Sequence, residues 1–172
     1  NGLTTGDQLV YWFTYLNPAN NLAQDSPTAT YTHSGSTTTP VVSNQALNKA
    51  ATSTASLQAA NLAVDGNASS SRESNHGSGV AWLKVDLGSA KSLSQVKIDW
   101  EAANAATYQI QGSNNNSSWP DLALETGGEF GARTDLVTVN GNYRWVRMRA
   151  TQRSAGNNWG YSIFEMEVLG SD

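Results

Sequence analysis

The chain has 172 residues, a formal net charge of -4 and only 14% charged side chains, enough for one well-buried domain with an attached fragment but short for two. The acidity and the thin scatter of cations exclude the basic footprint of a nucleic-acid binder, and no apolar stretch approaches the ~20 residues of a membrane-spanning helix. The chain has no Cys, so disulfides, thiolate catalysis and Cys-ligated zinc are excluded as well.

The opening GDQLVYWFTYL has strand-forming residues at almost every position from Leu9 to Leu16. Asn/Pro/Ser punctuation follows, then a short strand-like TATYT, then SGSTTTP, whose composition from Ser34 to Pro40 is that of a linker. Residues 1–40 therefore read as a strand segment and linker, either the end of a preceding module or a strand pair added to the main domain, and residues 41–172 as the main domain.

Beyond Val42 the pattern is of short strands between turn signals. In WLKVDLG, Leu83, Val85 and Leu87 share one face and Trp82, Lys84 and Asp86 the other. In QVKIDWEAA, Val96, Ile98 and Trp100 alternate with Lys97, Asp99 and Glu101. TYQIQGSNNNSSW enters an Asn/Ser turn, and DLVTV and YRWVRMRA supply further strands. FEMEV closes the set, with Phe164, Met166 and Val168 expected to face the core. No segment has a sustained helical period. Many short strands without intervening helices predict an all-β, antiparallel β-sandwich with functional loops at one end.

The ordered segments ALNKAATSTAS, NLAVDGNASSSRES, WLKVDLGSAKSLSQVKIDWEAA, YQIQGSNNNSSW, YRWVRMRATQR and GYSIFEMEVLG resemble the discoidin-like, coagulation-factor type C domains. They are most similar to family 32 carbohydrate-binding modules, over residues 44 to 170. The first 33 residues are more weakly similar to the last strands of a β-1,3-glucan-binding module, in which a GLxxGD turn precedes an aromatic strand. The resemblance implies a galactose-binding-domain-like jelly roll with no catalytic machinery and a sugar site in loops at one end.

A sugar ring needs an aromatic plate for its C–H face and a few fixed polar groups for its hydroxyls. Trp159, set among Asn157, Asn158 and Gly160, suits an exposed turn; the alternative is that it covers the end of the core. Tyr161, in the adjoining Gly160-Tyr161-Ser162, can line the same pocket or be structural. The resemblance implies Arg72 as a hydrogen-bond fork for sugar hydroxyls and Glu101 as an acceptor at a strand end. The family pattern has Trp after this Arg, whereas Glu73 stands here. Glu73, Asn75 and His76 complete the set of loop residues within reach of a ligand.

Calcium prefers a cage of oxygens, which VDGNASS offers in a tight turn. The resemblance implies a structural calcium held by Asp65, Asn67, Ser70 and Glu165; the plain alternatives are an Asx turn and an exposed strand carboxylate. Glycoside hydrolysis needs two carboxylates about 5 to 9.5 Å apart across a cleft. Glu165 and Glu167 share one strand face, and no GxSxG or HExxH pattern is present.

The chain thus reads as a monomeric, non-catalytic module that tethers a secreted, bacterial polysaccharide-degrading enzyme to its glycan. β-1,3-Glucan is the first expectation, then chitosan, then galactosides. A discoidin-type adhesion or lipid-binding role is the competing reading, but membrane binding calls for apolar spikes and a basic rim that Asn/Ser/Gly-rich loops do not supply.

Overall fold

A computed structural model describes residues 7–32, 41–54 and 56–172. The linker-like run Ser34 to Pro40 and most of the GLxxGD turn lie outside the described residues. The chain divides into two compact units, Asn1–Thr39 and Pro40–Asp172.

In the first unit, β1 (Gln8–Tyr11) pairs with β4 (Ala29–Thr32), and β2 (Thr14–Leu16) with β3 (Ala23–Asp25), all antiparallel. The two pairs are nested as one hairpin interrupted at Trp12 and Phe13. None of residues 7–32 is buried, so the strand propensity of this segment is realised without a core of its own.

The second unit is built around two long strands. β5 (Ser43–Asn44), β6 (Ala50–Ser53) and β7 (Arg72–Glu73) are short; β8 (Ala81–Trp100) runs antiparallel to β11 (Arg133–Arg153) from one end to the other. β9 (Ala105–Ser113), β10 (Asp121–Glu125) and β12 (Ser162–Ser171) complete the set. One half of the β8/β11 ribbon pairs with β6 and β9, and β9 with β10; the other half pairs with β12. Between the halves the register slips twice, and Gly141 has φ +109°, a conformation that a side chain would strain.

The inward faces of the two halves meet in a single core. Leu83, Val85 and Leu87 from the first half of β8 and Val96, Ile98 and Trp100 from the second belong to one buried cluster with Tyr108, Ile110, Val146 and Met148. The antiparallel β-sandwich expected from strand alternation is the observed fold, and a 3-10 turn at Ala60–Ala63 is the one helical element among the described residues.

β12 departs from the expected phase. The register shifts between Ile163 and Glu165, so Ile163, Met166 and Val168 are fully buried and Phe164 is only half-buried. A bulge adds one residue and flips the side-chain alternation across it, which is why Phe164 loses its expected core place to Ile163.

Candidate functional site

At the start of β12 three strands converge. β12 lies between β7 and β8: Ser162 is the register partner of Glu73, and the Glu101 amide donates to the Ser162 carbonyl at 3.1 Å. Glu73 and Glu101 therefore flank Ser162 from either side, about two strand spacings, or 10 Å, apart along the backbone. Two loops close the other sides. Gly131 donates to the Ala102 carbonyl, and Asn104 Nδ2 donates to the Gly131 carbonyl at 2.6 Å; these bonds bring Phe130 over the end of β8.

Trp159 stands opposite. Asn157 is buried, with its Nδ2 donating to the Asn104 and Gly160 carbonyls and its Oδ1 accepting the Trp159 amide. The Gly77 amide donates to the Trp159 carbonyl at 2.7 Å. Gly160 permits a close approach, since a Cβ there would lie 2.3 Å from Ser74 Oγ.

The result is an open cleft of about 390 Å³ lined by Ser71, Glu73, Glu101, Phe130, Trp159 and Ser162, with Ala102 and Ala103 at its floor. The Phe130 and Trp159 rings are nearly parallel, 13° apart with centroids at 6.0 Å, and are 44% and 46% exposed. Glu101 Oε2 accepts the Ala103 amide at 2.8 Å, which fixes the carboxylate, while Glu73 Oε1 lies 3.1 Å from His76 Nε2. Chemically this is a binding surface: apolar ring faces beside two oriented acceptors.

Of the residues singled out from sequence, Glu73, Glu101 and Trp159 line the cleft together. His76 reaches it only through Glu73, and Asn75 is exposed on the neighbouring turn, its carbonyl accepting the Ser78 hydroxyl. Tyr161 is fully buried, with its hydroxyl donating to the Gly79 carbonyl at 2.7 Å, and burial pushes that phenol up.

Arg72 differs most from expectation. It is 0% exposed; Nη1 donates to the Tyr161 carbonyl and Nη2 to the Thr54 carbonyl, and Nε has no partner. Burial pulls its guanidinium down to about 10. Pairing of β7 with β12 turns Arg72 into the sandwich end, behind the cleft, where it ties the Trp159 loop to the preceding strands. Phe130 was not singled out, although GEFGAR carries the same signal as Trp159, an aromatic residue between turn formers.

Beside the cleft, Asp65, Asn67, Ser70 and Glu165 come together. Asp65 accepts the Asn67 amide and the Ser70 hydroxyl, and Glu165 Oε1 accepts the same Asn67 amide at 3.0 Å. Glu165 is 7% exposed, so the plain strand-carboxylate alternative does not hold for it. Burial first, then the adjacent Asp65, pushes its carboxyl up to about 7. Among the described residues no group of three or more His, Cys, Asp or Glu is placed to hold a metal. The oxygens gathered here, two carboxylates and the Ser70 hydroxyl, are of the kind a hard cation accepts, whereas Asn67 meets both carboxylates through its backbone N–H, a hydrogen-bond donor.

A family model for F5/F8 type C domains, described as NedA-like, galactose-binding domain, matches residues 62–148. Chitosan-binding module 1 of a chitosanase/glucanase from Paenibacillus sp. IK-5 is 36% identical, with a TM-score of 0.68 over 74% of this chain and 99% of that one. Module 2 of the same enzyme, solved in complex with chitotriose, is 39% identical with the same TM-score, over 74% of this chain and all 100% of that one. The family 32 module of Clostridium perfringens NanJ, in complex with galactose, shares the fold at 21% identity and a TM-score of 0.64, over 75% of this chain and 99% of that one. A comparison with curated protein sequences finds no match.

Proposed function

Because the chain belongs to the F5/F8 type C family of galactose-binding-like domains, and its second unit is a non-catalytic carbohydrate-binding module, we propose that its ligand is a chitosan-type glucosamine polymer. One observation carries this choice of glycan: Glu73 and Glu101 flank Ser162 beneath the exposed rings of Phe130 and Trp159. A β-linked pyranose offers an apolar face for the rings, and its ammonium groups suit carboxylate acceptors, since charge-assisted hydrogen bonds are about twice as strong as neutral ones. The two relatives at 36% and 39% identity are chitosan-binding modules, which supports the same order. The β-1,3-glucan alternative rests on the likeness of the first 33 residues, whose defining turn lies mostly outside the described structure.

In this reading Trp159 and Phe130 stack on the sugar, Glu101 and Glu73 orient its amines, and Arg72 and Tyr161 hold the loops from behind. The module would tether a secreted polysaccharide-degrading enzyme to its substrate, linked sites raising apparent affinity through effective concentration. We also propose a structural calcium held by Asp65, Glu165, Asn67 and Ser70; it would cross-link the first loop to β12 and leave the sugar chemistry to the cleft.

Calorimetric titration with glucosamine trimers, N-acetylglucosamine trimers and laminari-oligosaccharides tests the assignment. The amino sugar should bind most tightly, and Glu101→Gln and Glu73→Gln should narrow its lead over the acetylated trimer. Equal affinity for all three, or a preference for laminari-oligosaccharides that survives both substitutions, would overturn the assignment.

A further inference from the structure

A second aromatic and charged surface lies on the outer face of the sheet formed by β6, β8, β11, β9 and β10, and none of its residues lines the cleft. Val146, Met148 and Ala150 are buried, so Trp145, Arg147 and Arg149 point outward; on β8, buried Leu83 and Val85 leave Trp82, Lys84 and Asp86 outward. Across the strands Trp82 faces Arg149, Lys84 faces Arg147 and Asp86 faces Trp145. Cations sit on the indoles: Arg147 Cζ is 4.2 Å from the Trp119 ring centroid and Arg144 Cζ 4.3 Å from that of Trp145.

The charge arrangement on this face is unfavourable as it stands. Lys84 and Arg147 are direct cross-strand partners, and like charges in that position are destabilising. Lys91, Lys97, Arg133 and Arg144 are each paired with a carboxylate. Among the described residues, Lys84, Arg147 and Arg149 have none within ion-pair distance.

Their partners are neutral amides instead. Arg147 Nε donates to Gln111 Oε1 at 2.8 Å, Arg149 Nη1 to Gln109 Oε1 at 2.9 Å and Lys84 Nζ to Asn116 Oδ1 at 2.9 Å. Of the nearby carboxylates, Asp86 is taken by Arg144 at 2.9 Å, and Asp121 is engaged by the amide nitrogens of both glutamines, at 2.8 and 2.7 Å. It orients the glutamines and stops one side chain short of the guanidiniums. Burial and the neighbouring Arg149 charge both hold the Arg147 guanidinium below its ordinary value. Each guanidinium keeps N–H donors that no acceptor among the described residues takes.

We propose that Lys84, Arg147 and Arg149, flanked by Trp82 and Trp119, form a second binding surface whose ligand is a carboxylate-bearing polysaccharide of the polyuronate class. A guanidinium fork matches a carboxylate with two parallel hydrogen bonds. Arg147 and Arg149, two residues apart on one strand, are spaced about 7 Å, and stacking on the half-buried Trp119 ring holds the Arg147 guanidinium in place. Bound carboxylates relieve the Lys84/Arg147 repulsion. A nucleic acid fits less well, because three uncompensated cations on a chain of net charge -4 do not make a track for a phosphate backbone.

The test is affinity electrophoresis and calorimetry of the whole chain with sodium polygalacturonate, its fully methyl-esterified form, sodium polyphosphate and poly(dT). Polygalacturonate should retard the protein and the esterified polymer should not. Combining Arg147→Gln with Arg149→Gln should weaken polygalacturonate binding by about tenfold or more, the scale of one lost charge-assisted hydrogen bond. The same double variant should leave glucosamine-trimer binding unchanged, and Trp159→Ala should leave polygalacturonate binding unchanged, so that this surface and the cleft succeed or fail separately.

No retardation by polygalacturonate, retardation of a folded double variant equal to wild type, or tighter binding of polyphosphate or poly(dT) would overturn the proposal. Should the double substitution prevent folding, Lys84→Gln takes its place and must weaken polygalacturonate binding severalfold; unchanged binding would again overturn it.

Discussion

Replacing Trp159 with Ala separates binding from folding in a way the structure makes quantitative. The ring is 46% exposed; on a side chain of about 200 Å², roughly 90 Å² is open to a ligand, worth about 2 kcal/mol at ~25 cal/mol/Å². Its removal should therefore weaken glucosamine-trimer binding about 30-fold. The buried remainder contacts Phe130 and the loop, so stability should also fall, by about 3 kcal/mol, within the ~5–15 kcal/mol of a typical domain. The loop backbone should persist, because Asn157, Gly77 and Arg153 hold it through main-chain atoms. Calorimetry and thermal melting monitored by circular dichroism measure the two effects. Trimer affinity within threefold of wild type would refute the stacking role, and loss of the cooperative melt would make Trp159 part of the core.

Three further outcomes follow from the geometry. Gly160→Ala places a Cβ 2.3 Å from Ser74 Oγ and 2.9 Å from the Asn75 carbonyl; urea denaturation should show a loss of about 1–3 kcal/mol, the usual scale of overpacking. Calcium should raise the melting temperature of a chelator-treated sample, and Glu165→Gln should abolish the rise; an unchanged melt with and without calcium would remove the ion from the site. The hydrogen bonds from Arg144 hold the Asp86 carboxyl below its ordinary range. A carboxyl depressed in the folded state contributes stability above its unfolded pKa, near 3.8, that is lost as pH falls through the lower folded value. Asp86→Asn should therefore flatten the acid limb of the stability curve measured by urea titration between pH 7 and pH 2.

The sheet was legible because VKIDW and WLKVDL alternate cleanly, and period-two alternation specifies which side chains are buried whatever their partners. It failed at Phe164, where a bulge inserts a residue that no composition marks. Trp159 announced itself through its Asn and Gly neighbours, and Phe130 carried the same mark in a stretch too short to draw notice. Arg72 was misjudged for a different reason. Its burial depends on β7 pairing with β12, some ninety positions later in the chain, and a two-residue strand has no period to read. Glu165 likewise owes its burial to the loop around Asn67 rather than to its own strand.

The pairing of β5 with the far end of β12 has a mechanical consequence. Ser43 and Gly170 are register partners, whereas Ser162, at the other end of the same strand, lies in the cleft. The ten-residue strand from Ser162 to Ser171 spans about 30 Å. The first and last strands of the unit thus meet at one end of β12, and the cleft lies at the opposite end. Tension between the two ends of β12 therefore runs along the strands, so that many backbone hydrogen bonds share it in shear instead of opening one after another.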